Sequence, residues 1–566
     1  MAIVVVIAGT WLGYQQLADS GCTGSVRLSV AAAPEIAPAV EQIASQWITG
    51  GAEVSGTCVA VDVTEATPAD IAGAVSREHN VALAGLGTAP ETVAVPDVWL
   101  PDSSTWLLRL QQEASGFKPT KISSVAQSPI VLAVPEPIAK TFGWPDKKMS
   151  WDQLLSQFGT DGTLQVGIVD PTRDAAGLNS LLAIGAIAGS GQEGLLKKTQ
   201  ALTALSENDS SLREELLQQF PKSTDANDLG TSLQAAPLSE EDVVAYNAQR
   251  PAVQLSAIYM EPSPTPLDYP YSIMPQVVDT AKAAAADGLL AQLSSAAFKD
   301  SLAAVGLRAP DGTYGAAFQA PVGAPAASPA VKSSGGADGG KAASGVSGND
   351  LSRAVGSWVA TTLPGRVLAV FDVSGSMGKA VPTAGGATRA QVTQAAARGG
   401  LSLFNNKWAV GVWRFSTNLD GSKPYKQLVP ITPLTSGRPQ LEASIGELNP
   451  VPAGDTGLYD TVLAAYQEVQ KNWKAGRSNS VILFTDGKNE NADGLGQDEF
   501  LDKLKKAQDP KKPVRLVLIG IGNEVDKGEL DTISKTVKGS GVFIAEDPAR
   551  ISDIFLEAIG TRTGAS

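Results

Sequence analysis

Between Gln319 and Gly348 the sequence loses hydrophobic periodicity, and proline, alanine, glycine and serine dominate. Such a composition cannot bury enough apolar surface to offset the entropy of ordering, so the stretch reads as a flexible linker. The chain must then fold as separate pieces on either side of it. With 566 residues, there is room for about three or four units of roughly 100 to 200 residues each. A hydrophobic content of 43% is ample for their cores. The division expected is Met1–Gly21, then Cys22–Phe318, then the linker Gln319–Gly348, then Asn349–Ser566.

In the last piece the apolar run Val367–Phe371 leads directly into Asp372-Val373-Ser374-Gly375-Ser376. A buried strand of this kind delivers one carboxylate and two hydroxyls to its carboxyl end, and the turn permitted by Gly375 lets the three oxygens converge. Hard oxygen donors favour Mg²⁺, Mn²⁺ or Ca²⁺ over zinc. Gly454-Asp455-Thr456-Gly457 offers another hydroxyl on a loop, and Val481–Gly487 is a second apolar run, ending in Thr-Asp-Gly. Further apolar runs at Trp408–Phe415, Val514–Ile521 and Gly541–Ile544 alternate with helix-like stretches at Arg389–Phe404, Leu458–Trp473 and Asp498–Ala507. This alternation predicts a doubly wound, Rossmann-like parallel α/β sheet.

The order Asp-x-Ser-x-Ser, distant Thr, distant Asp resembles the metal-ion-dependent adhesion site of the von Willebrand factor A family. The resemblance implies a site made of Asp372, Ser374, Ser376, Thr456 and Asp486. It implies Mg²⁺ as the ion, with Mn²⁺ or Ca²⁺ as alternatives, and a protein partner that contributes an acidic side chain. Three hydroxyls and few direct carboxylates leave the cation under-neutralised, which keeps an open position attractive to such a carboxylate.

Composition narrows the remaining classes. A net charge of −14 argues against a phosphate-binding surface for nucleic acid. His79 is the single histidine, no nucleophile motif surrounds it and no phosphate-cradling Gly-rich Lys-Ser/Thr loop is present, so catalytic residues are not expected. The two cysteines, Cys22 and Cys58, are too few for a structural zinc site. A disulfide between them is the expectation for an exported protein, against two unrelated buried thiols. Ala2–Trp11 is apolar, with Trp11 and Tyr14 as interfacial aromatics, but it is short for a spanning helix and no basic residue precedes it. It reads as the outer part of an amino-terminal membrane anchor, a start codon placed too late being one explanation of both defects, with a signal peptide as the alternative. Asp19-Ser20-Gly21 before Cys22 does not match a lipoprotein pattern.

The first large piece alternates in the same manner. Strands are predicted at Val26–Ala31, Val59–Val63, Val81–Gly85, Val98–Leu100, Ser128–Pro135, Gln165–Val169 and Tyr269–Met274, and helices at Ile36–Trp47, Trp151–Phe158 and Ala281–Leu302. The segments Val26–Ala33, Ser128–Pro135, Asp170-Pro171-Thr172 with Ala176-Gly177, Leu267–Met274 and Gly306–Gly312 resemble bacterial extracellular solute-binding proteins. That resemblance implies two lobes with a small-molecule ligand between them, held by loop amides and helix amino termini suited to anions. The candidate loops are Ala32–Glu35, Gln127–Ser128 and Thr172–Gly177, with Ser128 and Gly177 as candidate contacts, although Glu35 and Asp174 would repel an anion.

Together these features predict a non-enzymatic protein tethered to the bacterial cell membrane, with extracytoplasmic domains that bind a protein partner through a cation. The alternatives are a secreted form, and a solute receptor whose last domain relays ligand occupancy to a membrane complex.

Overall fold

The computed structural model describes residues 22–81, 83–86, 92–114, 116–147, 150, 153, 164–189, 191–329, 346–362, 364–404, 406–551 and 554. The anchor expected at Ala2–Trp11 and nearly all of the helix expected at Trp151–Phe158 lie outside these residues. Backbone proximity separates two compact units. One comprises residues 1–187 and 208–355; the other comprises 188–207, which contain the helix Gly191–Glu207, and 356–566.

The first unit is built on two main sheets, each with its own core. A six-stranded sheet runs in the order Glu53–Val54, Thr57–Glu65, Ser25–Ala32, Val98–Leu100, Pro270–Ile273, Lys121–Ser124. Ser25–Ala32 is parallel to both its neighbours, and Pro270–Ile273 is antiparallel to both of its own. Leu28, Val30, Trp99 and Tyr271 are among the residues filling its core. The second sheet is antiparallel, in the order Leu255–Ile258, Ile130–Pro135, Ala236–Ser239. Its separate core holds Val131, Ala133, Phe220 and Leu238. Isolated pairings of Gln127 with Arg308 and of Ser128 with Leu267 tie together the chain segments that pass from one sheet to the other. Two cores joined by crossing segments make the unit two-lobed, as expected.

Several local expectations need correction. Val81–Gly85 forms no strand among its described residues, because side chains claim its carbonyls. Arg109 Nη2 donates to the Ala84 carbonyl at 3.0 Å and Thr172 Oγ1 to the Gly85 carbonyl at 3.4 Å. The helix expected over Ala281–Leu302 is two, Thr280–Gln292 and Ala296–Ala304, since Ser295 caps the second by accepting from Phe298 N. Within the expected linker, residues 330–345 lie outside the described residues, but 319–329 are held by hydrogen bonds. Arg308 Nη1 donates to the Pro325 carbonyl at 3.0 Å, and Ser328 Oγ donates to Gln127 Oε1 at 2.8 Å. The buried Arg308 and Gln127 side chains thus hold a segment that belongs to no helix or strand.

Cys22 and Cys58 form a disulfide with a Cα–Cα distance of 5.3 Å. Closing a loop of this length contributes about 2–4 kcal/mol on the chain-entropy account. His79 is exposed and packs its ring edge-on to Phe117.

The second unit is a six-stranded sheet in the order Lys423–Pro433, Ala409–Asp420, Gly365–Asp372, Ser478–Thr485, Arg515–Ile521, Gly541–Ala545. Every neighbouring pair is parallel except the edge pair of Lys423–Pro433 with Ala409–Asp420. Along Gly365–Asp372 the side chains alternate between faces. Val367 and Phe371 enter one core with Ala396, Leu401 and Leu441 of the helices Arg389–Leu403 and Leu434–Ile445. Leu368 and Val370 enter the other with Val462, Leu504 and Ile533 of the helices Leu458–Lys471, Gln497–Lys506 and Lys527–Thr536. A strand buried on both faces requires the continuous apolar run that the sequence displays. From Gly365–Asp372 the chain winds first towards Ala409–Asp420 and later, on the opposite side, through Ser478–Thr485. The carboxyl end of Gly365–Asp372 therefore sits at the topological switch point, where open α/β sheets place their ligands.

Candidate metal centre

Asp372 is the last residue of its strand and is buried. The chain then turns through the 3-10 segment Gly375–Gly378, and Ser374 N donates to Asp372 Oδ1 at 2.8 Å. Gly375 is required here, because a Cβ would lie 2.7 Å from the Pro452 carbonyl. That approach lets Gly375 N donate to the Gly454 carbonyl at 2.8 Å, while Val451 N donates to the Val373 carbonyl at 2.7 Å. The loop 451–457 is thereby laced onto 373–375, which brings in Thr456 from a distant part of the sequence. The space left by Gly487 completes the approach, since a Cβ there would lie 3.1 Å from Thr456 Oγ1.

The structure thus brings all five candidate ligands together. Ser374 Oγ and Ser376 Oγ are 3.0 Å apart, and Ser376 Oγ donates to Asp486 Oδ1 at 2.7 Å. Asp372, Ser374, Thr456 and Asp486 are buried. Burial, with the nearby Asp486 charge adding to it, pushes the Asp372 carboxyl up to about 7; hydrogen bonds from Ser374 and Thr485 oppose the shift without cancelling it. A buried carboxylate repelled by a neighbouring one is what a divalent cation relieves. Two carboxylates and three hydroxyls are hard oxygen donors, so the set fits Mg²⁺, Mn²⁺ or Ca²⁺. Among the described residues no group of three or more His, Cys, Asp and Glu side chains is placed to hold a metal, so the hydroxyls are essential to this donor set.

Four neighbours of this cluster, Thr485, Arg389, Glu524 and Lys379, carry no signal in the ligand pattern. Thr485 Oγ1 donates to Asp372 Oδ2 at 2.7 Å and so fixes that carboxylate's second oxygen. Arg389, the first residue of its helix, donates from Nη1 to Asp486 Oδ2 at 2.7 Å and to Glu524 Oε2 at 2.9 Å. Lys379 Nζ also reaches Glu524 Oε2, at 2.7 Å. Arg389 is consequently a counter-ion to one of the two carboxylates and competes electrostatically with any cation. Arg389→Gln is expected to raise divalent-cation affinity about tenfold, which corresponds to about 1.4 kcal/mol. Calorimetric titration of Mg²⁺ checks this, and an unchanged affinity would show that the guanidinium does not oppose the ion.

In the first unit, Ser128 and Gly177 do not converge on an open site; both are engaged by the fold. Ser128 is fully buried, exchanges backbone hydrogen bonds with Leu267 and accepts at Oγ from Glu241 N at 3.0 Å. Gly177 N donates to Asp174 Oδ1 at 2.8 Å, in the first turn of the helix Ala175–Ala188. A cavity of about 440 Å³ in this unit is lined by neither residue; Trp144, Tyr259, Met260, Pro325 and Pro329 are among its walls.

Residues 28–308 match the family of bacterial extracellular solute-binding proteins, and residues 367–557 match the von Willebrand factor type A domain. Uncharacterized proteins of Mycobacterium tuberculosis strains CDC 1551 and H37Rv are each 24% identical over 576 residues, covering 95% of this chain and 79% of theirs. Among solved structures, the sulfate-binding protein SubI of Mycobacterium tuberculosis H37Rv is 18% identical, with a TM-score of 0.34 over 51% of this chain and 88% of that one. A von Willebrand factor type A protein of Catenulispora acidiphila is 18% identical, with a TM-score of 0.27 over 35% of this chain. The alignment spans 42% of the Catenulispora chain.

Proposed function

Because the chain joins a bacterial extracellular solute-binding domain to a von Willebrand factor type A domain, we propose that it is a non-enzymatic, membrane-tethered extracytoplasmic protein that captures a protein partner through a divalent cation. The observation that carries this reading is the convergence of Asp372, Ser374, Ser376, Thr456 and Asp486 at the switch point of the second sheet. When bound, the ion supplies a Lewis-acidic position for a carboxylate oxygen of the partner.

The chain's own residues do the rest. Asp372 and Asp486 provide the negative charge that holds the ion, and Ser374, Ser376 and Thr456 contribute neutral oxygens, so that positive charge remains for the incoming carboxylate. Arg389 and Lys379 lie close by, paired with Asp486 and Glu524. The Cys22–Cys58 disulfide supports an oxidising, extracytoplasmic setting. No helix among the described residues is long and apolar enough to cross a membrane. Tethering therefore rests on the apolar run Ala2–Trp11.

The full chain, immobilised and exposed to envelope extract in Mg²⁺, is expected to retain a partner that EDTA releases and that Thr456→Ala fails to retain. Retention that survives EDTA would sink the cation-bridged mechanism.

A further inference from the structure

In the first unit, four carboxylates from both lobes surround one guanidinium. Arg213 opens the helix Arg213–Leu217, directly after the short strand Asp209–Ser210. Its Nη2 lies 2.7 Å from Asp174 Oδ2 and 3.5 Å from Asp102 Oδ2, while its Nη1 lies 3.4 Å from Asp242 Oδ1 and 3.6 Å from Glu35 Oε1. Glu35 and Asp102 follow strands of the six-stranded sheet. Asp174 follows Ile168–Val169 and Asp242 follows Ala236–Ser239, on the other lobe. All four thus sit just beyond the carboxyl ends of strands, where ligands of such folds are expected.

The carboxylates are held ready for a cation. Asp174 uses Oδ1 to cap Gly177 N, Asp102 uses Oδ1 to accept from Trp106 Nε1, and Asp242 uses Oδ2 to accept from Ser239. In each of the three the other oxygen faces Arg213. Glu35 Oε1 is fixed by the Tyr269 hydroxyl at 2.8 Å. Burial pushes the Asp102 carboxyl well up, with Glu35 adding to the shift and Arg213 opposing it. An oxyanion solute would meet four acidic groups here, and the guanidinium they surround is already over-compensated.

Further contacts hold the lobes together beside this cluster. Arg109 Nη1 donates to the Thr172 carbonyl at 2.8 Å, and Arg173 Nη1 donates to the Leu86 carbonyl at 3.0 Å.

We propose that Arg213 is a tethered internal ligand: its guanidinium occupies the interlobe site, latches the lobes closed, and gives the site the selectivity of a receptor for guanidinium-type cations rather than for anions. The solute-binding fold then serves this protein as a closed module whose own side chain has replaced the solute.

The test uses the full chain and thermal melting of its first unit. Wild type is expected to show no shift with millimolar sulfate, phosphate or molybdate, and none with millimolar guanidinium. Arg213→Ala is expected to melt several degrees lower and to recover most of that loss in millimolar guanidinium, by mass action on the vacated site. A wild-type shift with any of the oxyanions, or a folded Arg213→Ala that guanidinium does not restore, would overturn the proposal. Should Arg213→Ala fail to fold, the double variant Glu35→Gln with Asp102→Asn severs only the cross-lobe half of the latch. Hydrogen exchange in Ser104–Glu113 and Arg213–Leu217 is then expected to accelerate, and unchanged exchange would refute the latch.

Discussion

Asp372→Ala is expected to abolish saturable binding of Mg²⁺, Mn²⁺ and Ca²⁺, lowering affinity by more than about 100-fold, since changing even an outer-shell partner of a bound metal costs roughly 10–100-fold. Half of the site's carboxylate charge comes from this one side chain, which ends its strand buried. Misfolding is separable from ligand loss by Asp372→Asn. The amide oxygen still accepts from Ser374 N, and its NH2 group can donate to the Thr485 hydroxyl, which accepts as well as donates, while the substitution removes a buried charge repelled by Asp486. The metal-free Asn variant is therefore expected to melt no lower than metal-free wild type, yet to gain nothing from added cation, whereas wild type gains stability in proportion to ion occupancy. Calorimetry and melting curves on the full chain read both quantities. Saturable binding at wild-type affinity in either variant would mean that the ion sits elsewhere.

The largest loss of stability is expected from Arg308→Ala. Arg308 and Glu240 are both fully buried and meet in a two-pronged ion pair, Nε to Oε2 at 2.6 Å and Nη2 to Oε1 at 2.7 Å. The Tyr259 hydroxyl also donates to Glu240 Oε1, and the guanidinium lies over the Tyr314 ring at 4.8 Å. Removing the arginine strands a buried carboxylate and releases the Gly312 and Pro325 carbonyls that Nη1 had joined. A cost of about 3–5 kcal/mol is expected, because desolvated charges are tolerable only in pairs. Replacing both partners with apolar residues, Arg308→Met with Glu240→Leu, is expected to recover most of it. Urea unfolding of the first unit measures both variants. A loss below about 1 kcal/mol for Arg308→Ala would show that water reaches Glu240 and that the pair is not isolated.

The candidate metal centre is legible because three of its candidate ligands fall within five residues after a doubly buried strand, and such a strand announces itself as an unbroken apolar run. Thr456 and Asp486 are legible only through the resemblance to the von Willebrand factor A pattern, in which a distant Thr and a distant Asp follow Asp-x-Ser-x-Ser. Thr485, Arg389 and Glu524 are not legible, since a threonine in a strand or an arginine opening a helix has many ordinary uses and only the fold brings them to the carboxylates. Val81–Gly85 misled because its apolar alternation matches a strand, while the decisive competitors for its carbonyls, Arg109 and Thr172, lie far away in sequence. The short strands Ala236–Ser239 and Leu255–Ile258 are four residues each, too brief for periodicity to register. Arg213 was the most hidden. It stands in Ser-Leu-Arg-Glu-Glu, which reads as an exposed helix start, and its meaning comes from four acids scattered between Glu35 and Asp242.

The disulfide has a consequence for how load enters the first unit. Ser25 is in register with Cys58 across the parallel pair of Ser25–Ala32 and Thr57–Glu65, and Cys22 is bonded covalently to that same Cys58. A pull on the chain ahead of Cys22 is thus divided between two adjacent strands at their matching ends. Tension cannot peel Ser25–Ala32 away one hydrogen bond at a time; it must drag the pair as a block against its flanking neighbours, in shear, where many bonds resist at once.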